Sequence, residues 1–296
     1  MTKKYIDAAL RHFKDRGVEP DSGRNIVVSL TSYPARMPEA QYTLFSLLKQ
    51  SLKPNKVLLW LGEEQFPNRE QDIPEKILAL QKNGLDIRWT KDIKSYKKLV
   101  PALREYPDAI IVTADDDLFY DPHWLGLLYA DYQRNSCAPM VYAHRAHRIQ
   151  TSLGGQILPY FAWLAAPRAG LQDGPSWFNL ATTGAGALFP PHVLQADMLR
   201  EEVFCALAPS ADDIFFWAAA VMKDTKITVV EGNFATLIPT MSTPLDDEDS
   251  CLSVRNVLQG KNDEQLAGIL ARYPDIVIKL HTEFKVAQRA RPGRLT

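Results

Sequence analysis

Cysteine is scarce. Only Cys137, Cys205 and Cys251 occur in 296 residues, far apart and without a CxxC pair. An odd, scattered set argues against a disulfide framework and for a reducing compartment. Long apolar runs are missing too. No stretch approaches the ~20 apolar residues of a membrane-spanning helix. The N-terminal MTKKYIDAALRHFKDRG has no apolar core of the signal-peptide kind. Its Tyr5, Ile6, Ala9, Leu10 and Phe13 fall at helical spacing and predict an amphipathic helix. Nor is there an excess of charge: 34 Lys and Arg against 35 Asp and Glu leave a formal net charge of −1. A whole-molecule field for nucleic acid or membrane is therefore not implied. Internal repeats and low-complexity segments are lacking. These absences lead to the expectation of a cytoplasmic protein with no nucleic-acid partner. The C-terminal KVAQRARPGRLT carries Lys285, Arg289, Arg291 and Arg294. It reads first as a solvated tail, with peripheral contact at an anionic membrane surface as the alternative.

What the chain has is the ordinary balance of a globular protein, with 46% hydrophobic and 23% charged residues. Strand and helix signals alternate through its first half. NIVVSL (25–30), KVLLWL (56–61), LDIRWT (85–90) and AIIVTA (109–114) read as strands. Segments 39–52, 74–84 and 97–106 between them, and the HWLGLLYADYQRN stretch after Asp121–Pro122, read as helices. This rhythm predicts a parallel sheet wrapped by helices. Beyond about residue 137 the pattern loosens. MVYAH (140–144), GALFPP (186–191) and KITVVE (226–231) suggest strands. DDIFFWAAAVM (212–222) reads as a buried helix, STPLDDEDS (242–250) as a polar loop, and 262–275 as a terminal helix. A single domain follows, with a nucleotide-binding half over about 20–135 and an acceptor-binding half over about 136–296.

Three consecutive carboxylates, Asp115, Asp116 and Asp117, stand where the fourth strand ends. Open α/β sheets bind ligands outside the carboxyl ends of their strands. In extended chain, Asp115 and Asp117 face one way and Asp116 the other. The outer pair suits Mg2+ or Mn2+ on a diphosphate. Asp116 is expected to meet a ribose or a basic side chain; an acidic turn is the plain alternative. Asp212 and Asp213 open the later apolar helix, where Ser210 to Asp213 has capping-box spacing. Lys97 and Lys98 precede the fourth strand, placed either to meet phosphates or to stay solvated. His144, Arg145, His147 and Arg148 form a basic cluster, which reads either as a contact for an anionic acceptor or diphosphate or as plain solvated surface; no residue at zinc-ligand spacing joins it. Trp163 and Trp177 lie in aromatic-rich stretches that serve as core or as a sugar platform.

An apolar strand ending in Asp-x-Asp resembles the metal-binding DxD motif of GT-A fold glycosyltransferases. TTGAGALF (182–189) looks like that family's glycine-containing loop, and SADDIFFW (210–217) like its acidic helix start. His281 in KLHTEF resembles its C-terminal metal ligand. The set spans about residues 25–235 and is closest to bacterial family 2-like enzymes of lipopolysaccharide or capsular polysaccharide synthesis. The resemblance implies a Rossmann-like GT-A fold and transfer of a sugar, with inversion, from a nucleotide-diphosphate donor, UDP-sugar foremost, to a glycan or lipid-linked acceptor. It implies Asp115, Asp117 and His281 as ligands of Mn2+ or Mg2+, and Asp213, or else Asp212, as catalytic base. Donor contacts would come from Thr31, Tyr33, Arg36, Glu63, Lys97, Lys98, Asp115, Asp116, Gly184 and Gly186. Acceptor contacts would come from His144, Arg145, Trp163 and Trp177. Departures exist: the first strand leads into SLTSYPARM, and the second is followed by Glu63 and Glu64 in place of the usual single acidic residue. A sugar-nucleotidyltransferase and a non-catalytic carbohydrate-binding protein are the rival readings. Against the first, this chain has no glycine-rich basic loop after its first strand, since LTSYPARMPEA contains no glycine.

Overall fold

A computed structural model describes residues 3–165, 174–234, 238–240, 256 and 259–289. The chain opens with α1 (Lys3–Arg11), then β1 (Ile26–Thr31), α2 (Met37–Leu48), β2 (Lys56–Gly62), α3 (Glu75–Leu78), β3 (Leu85–Thr90), α4 (Val100–Glu105) and β4 (Ile110–Thr113). It continues through α5 (Trp124–Arg134), β5 (Val141–Ala143), β6 (Ala146–Arg148), α6 (Tyr160–Ala165), β7 (Asn179–Ala181) and β8 (Ala187–Phe189). The described remainder holds α7 (Glu201–Leu207), α8 (Asp212–Met222), β9 (Ile227–Val229), α9 (Lys261–Arg272) and α10 (Asp275–Arg289).

Seven strands form one sheet in the order β3-β2-β1-β4-β8-β5-β9; β6 and β7 pair separately. β3, β2, β1 and β4 run parallel, with Val28 level with Val57 and Val112. β8 runs antiparallel to both neighbours, and β5 pairs β9 in parallel. The central strands are continuous apolar runs because both of their faces are covered. Val27, Leu58 and Ile111 pack into the core shared with α8 and α9. Ile26, Val28, Leu30, Val57 and Val112 point the other way, toward α2 and α5. The expected α/β class, a mostly parallel sheet flanked by helices, is what is found. β2 and β3 lie on one side of β1 and β4 on the other. The chain therefore reverses direction across the sheet between β1 and β4, and a crevice opens at their carboxyl ends.

Local chemistry sets the element ends. Gly84 closes the 3-10 turn Ala79–Asn83 at φ +108°, and a Cβ there would lie 2.5 Å from Val18 Cγ2. Asp121 Oδ1 accepts the His123 amide at 2.8 Å just ahead of α5. The expected 97–106 helix begins as a 3-10 turn, Lys94–Lys98, and becomes α-helical only at α4. The expected terminal helix is not terminal: α9 ends at Arg272 and α10 follows. Pro274 reads as a stop, yet its carbonyl accepts the Val277 amide at 3.0 Å and starts the next helix. Lys285 and Arg289 are thus helical rather than part of a tail. The polar stretch 242–250, Cys251, Arg291 and Arg294 lie outside the described residues. No single described helix is long and apolar enough to cross a membrane; α7 and α8 pass such a test only as a pair bent by 120°.

Candidate functional site

β4 delivers the three aspartates to the crevice beside the end of β1. Each takes a different partner. Asp115 Oδ1 pairs with Lys98 Nζ at 2.8 Å, and Asp117 Oδ2 with Arg36 Nη1 at 2.7 Å. Asp116 turns away from both and accepts the Ser32 hydroxyl. The alternation expected of extended chain holds, but the partner is a serine rather than a basic side chain. Burial pushes the Asp116 carboxyl up to about 7, helped by the charges of Asp117 and Asp115 and opposed by Ser32 and Arg36. Asp117 is also raised, by burial and then by the charge of Asp115. The turn is pinned from below and from the side. Thr43 Oγ1 reaches the carbonyls of Asp116 and Leu118 at 2.9 and 2.8 Å, and the Thr240 amide donates to the Asp117 carbonyl at 2.8 Å.

A second acidic group closes on the first. Asp212 and Asp213 occupy the first turn of α8. Capping is not their role: no side chain caps this helix, and Ser210 Oγ is engaged with Asn256 and Gln265. Asp213 Oδ1 instead accepts both the amide of Thr183, at 3.1 Å, and its hydroxyl. Burial raises the Asp213 carboxyl to about 6; Asp212 adds to this while Lys98 and Thr183 oppose it. Lys98 Nζ also lies 3.1 Å from Asp212 Oδ2, so one buried ammonium joins the end of β4 to the start of α8. Burial alone would lower Lys98, yet the charges of Asp115 and Asp212 carry it well above the usual lysine range. Arg145 donates to Thr182 Oγ1 at 2.7 Å. The Tyr160 phenol, raised by burial, is raised further by the charge of Asp213 and lowered by that of Arg145.

The glycine loop is buried from Ala181 to Phe189. Its glycines are required by protein atoms. A Cβ on Gly184 would stand 1.8 Å from Asp115 Oδ2, and one on Gly186, at φ +115°, 2.3 Å from Trp124 Nε1. Tyr120 Oη donates to the Gly184 carbonyl at 2.6 Å and accepts the Asp115 amide at 2.8 Å, which locks loop and strand end together.

Several expected residues fall elsewhere. Lys97 is buried against Asp92 and Gln65 and offers nothing to a phosphate. Thr31 donates to the Trp60 carbonyl at 2.8 Å, and Glu63 is exposed and paired with Arg69 at 3.0 Å. Tyr33 and Arg36 do rim the crevice, joined at 3.3 Å. His144 is fully buried, with Nε2 2.9 Å from the Trp124 carbonyl and Nδ1 accepting the Phe234 amide. That leaves no ring nitrogen for an acceptor, and burial lowers the imidazole to about 4. Trp163 is core, its indole donating to Leu158; Trp177 packs on the same core, with its amide bonded to Glu283 on α10. His281 sits on α10 against Gly154 and Gly155. Among the described residues no three His, Cys, Asp or Glu side chains converge to hold a metal. His281 is therefore not joined to Asp115 and Asp117. Ser32, Tyr120, Tyr160 and Thr183 escaped the sequence reading, because single hydroxyl residues in turns, loops and helix starts carry no spacing signal.

The carboxylates nonetheless fit a hard divalent ion. The Asp115 and Asp117 side chains are 40% and 35% exposed, and the charge of Asp115 raises the cost of ionising Asp117. A cation would relieve that. Two carboxylates without a third protein ligand suit an ion that takes its remaining oxygens from phosphate and water.

No family model matches this sequence, and no curated protein does. Similar solved structures include a CMP:2-keto-3-deoxy-manno-octonic acid synthetase complexed with CTP, 14% identical over 80% of this chain and 98% of that one, with a TM-score of 0.42. They also include the mannosyltransferase PcManGT from Pyrobaculum calidifontis in complex with GDP-Man and Mn2+, 11% identical over 99% of this chain and 82% of that one, with a TM-score of 0.43. Likeness at this level bears on neither activity nor substrate.

Proposed function

We propose that the chain is a metal-dependent glycosyltransferase that moves a sugar from a nucleotide-diphosphate donor, a UDP-sugar foremost, to a glycan or lipid-linked acceptor. The observation that carries this reading is the bridge from Asp115 through Lys98 to Asp212, which makes one site of the acidic end of β4 and the acidic start of α8. Asp115 and Asp117 would hold Mn2+ or Mg2+, which when bound offsets charge on the departing diphosphate. Tyr33 and Arg36 border the nucleotide side of the crevice. Asp213 would accept the proton of the attacking acceptor hydroxyl. Its carboxyl, raised to about 6, is basic enough to take a proton and still ionised at neutral pH. Thr183 orients that carboxylate through two hydrogen bonds. A single displacement would invert the anomeric centre. A cytoplasmic setting and a role in surface polysaccharide synthesis complete the proposal.

The test is donor hydrolysis. Purified protein, Mn2+ and a panel of nucleotide-diphosphate sugars should release free nucleotide, and Asp115→Ala and Asp117→Ala should abolish the release. Absence of any nucleotide or donor binding in calorimetry, with and without metal, sinks the reading. Pyrophosphate release from a nucleoside triphosphate and a sugar phosphate would replace it with nucleotidyl transfer.

A further inference from the structure

α10 packs on one side only. Its Ile276 and Leu280 are buried in the core shared with α8 and α9. On that same side Lys279 Nζ pairs with Asp224 at 2.6 Å, and Glu283 accepts the Trp177 amide at 2.9 Å and pairs with Lys226 at 3.4 Å. The opposite side is bare. At about 100° per residue, Ile278, Thr282, Lys285, Val286 and Arg289 share an arc of about 100° that faces away from Ile276 and Leu280. All five are exposed, Ile278 at 63% and Val286 at 60%. The turn Ser152–Gly155 rests against the edge of this face. The Gly154 carbonyl lies 3.4 Å from His281 Nε2, and a Cβ on Gly155, at φ +81°, would stand 3.2 Å from Phe284 Cδ1. His281 neighbours Ile278 and Lys285 one turn either way. The turn therefore carries Leu153, 97% exposed, to the border of the bare face.

Apolar side chains scattered singly over a surface need no explanation. These stand among cations that the fold leaves unmatched. Lys285 and Arg289 have no ion pair among the described residues. Several exposed cations elsewhere do: Lys49 with Asp15, Arg134 with Glu231 and Lys261 with Glu264. Glu283, turned inward, is the last acid of the sequence, and Arg291 and Arg294 follow it. A helix face meant for water mixes charges of both signs. This one sets apolar groups between cations, the composition of a helix lying at a lipid interface. A second copy docked here about a two-fold axis would bring the same cations together, which disfavours that occupant.

We infer that the outward face of α10, with Leu153, docks on an anionic lipid surface. Ile278, Val286 and Leu153 enter the boundary of the acyl chains, and Lys285 and Arg289 meet the anionic headgroups. The docking does not rest on the sugar-transfer reading, because it uses no donor, no metal and no residue of the acidic crevice. Joined to that transfer, it selects a lipid-linked acceptor over a free glycan.

The test mixes the full chain with vesicles of phosphatidylcholine alone or with about one-third phosphatidylglycerol, and reads bound protein by sedimentation. Saturable binding to the anionic vesicles is expected at about 0.1 M salt, with little on the neutral ones and a fall at about 0.5 M. Each basic residue at such a surface is worth about a fivefold change in partition. Lys285→Gln should therefore weaken binding about fivefold, and Lys285→Gln with Arg289→Gln about 25-fold. Ile278→Ser with Val286→Ser should release the protein from the anionic vesicles and leave its melting temperature unchanged, since both side chains are exposed. Lys76→Gln removes the same charge from α3, on the other helical layer, and should change nothing. No binding to anionic vesicles, equal binding to neutral ones, binding that survives either double variant, or a loss in Lys76→Gln as large as in Lys285→Gln would each overturn the proposal. So would a dimer in analytical ultracentrifugation that Ile278→Ser with Val286→Ser dissolves, which would give the face to a second copy.

Discussion

Lys98→Met removes a buried cation that joins the two acidic groups. Its Nζ lies 2.8 Å from Asp115 and 3.1 Å from Asp212, and the lysine side chain is only 6% exposed. Breaking a buried pair by deleting one partner costs about 3–5 kcal/mol, because the remaining carboxylates are left uncompensated. Asp115 is partly open to water, which favours the low end, about 3 kcal/mol. In a chain of this size that is a fall in Tm of roughly 6–12 °C. A divalent ion on Asp115 and Asp117 would restore much of the missing charge. Free Mn2+ at about a hundred times its Kd should return about 2.7 kcal/mol to the variant. In the unaltered protein Lys98 already neutralises Asp115, so the same Mn2+ should raise Tm less. Direct Mn2+ titration by electron paramagnetic resonance, without nucleotide, should show tighter binding to the variant than to the unaltered protein. Lys98→Arg should keep the behaviour of the unaltered protein. Scanning calorimetry with and without Mn2+ decides the matter. A variant as stable as the parent, or one destabilised but indifferent to Mn2+, refutes the reasoning about this bridge.

Asp213→Asn should lower acceptor-dependent transfer by about 10²–10⁴-fold while leaving Mn2+ and UDP binding intact, as measured by product formation and calorimetry. Gly184→Ala places a methyl 1.8 Å from Asp115 Oδ2. It should cost about 1–3 kcal/mol in urea unfolding and displace the Asp115 carboxylate, so that Mn2+-dependent donor hydrolysis falls as well. His144 gives a pH dependence. It is held neutral in the folded state, at about 4 against an ordinary 6.5, so the unfolded chain binds its proton first. Its contribution is fully present above 6.5 and is lost as pH falls toward 4. By pH 4.5 its own contribution has fallen by about 2–3 kcal/mol, while the raised Asp116 and Asp213 carboxyls shift stability the other way over the same range. The His144 part is therefore read against His144→Gln, which cannot titrate: relative to the parent, the variant should gain about 2–3 kcal/mol in urea unfolding between pH 7 and 4.5, and an unchanged pH dependence would remove His144 as a source.

Much of the fold was legible because burial on both faces writes continuous apolar strands into the sequence. The four runs from Ile26 to Thr113 and the helix Asp212–Met222 emerge where periodicity places them. The aspartates at the end of β4 were readable for the same reason: a strand end fixes position without reference to the rest of the chain. α10 was missed although Ile276 and Leu280 mark its buried face, because Pro274 reads equally as a stop and as a first-turn residue. The glycines of the 182–189 loop were visible, but their need was not, since it comes from Asp115 and Trp124 some 60 residues and more earlier in the chain. His144, Trp163 and Lys97 carried chemistry by type and lost it by place; main-chain carbonyls take up the polar groups of the first two, and the Asp92 and Gln65 side chains that of Lys97. By itself the sequence determined the seven strands of the main sheet, the order of the acidic groups and the residue types at the crevice. Only the tertiary structure decided that Lys98 joins Asp115 to Asp212, that Thr183 holds Asp213, and that His281 stands apart. The first two are contacts between residues 17 to 114 positions apart, and local propensity carries no information about which distant surfaces the folded core will bring together or keep apart.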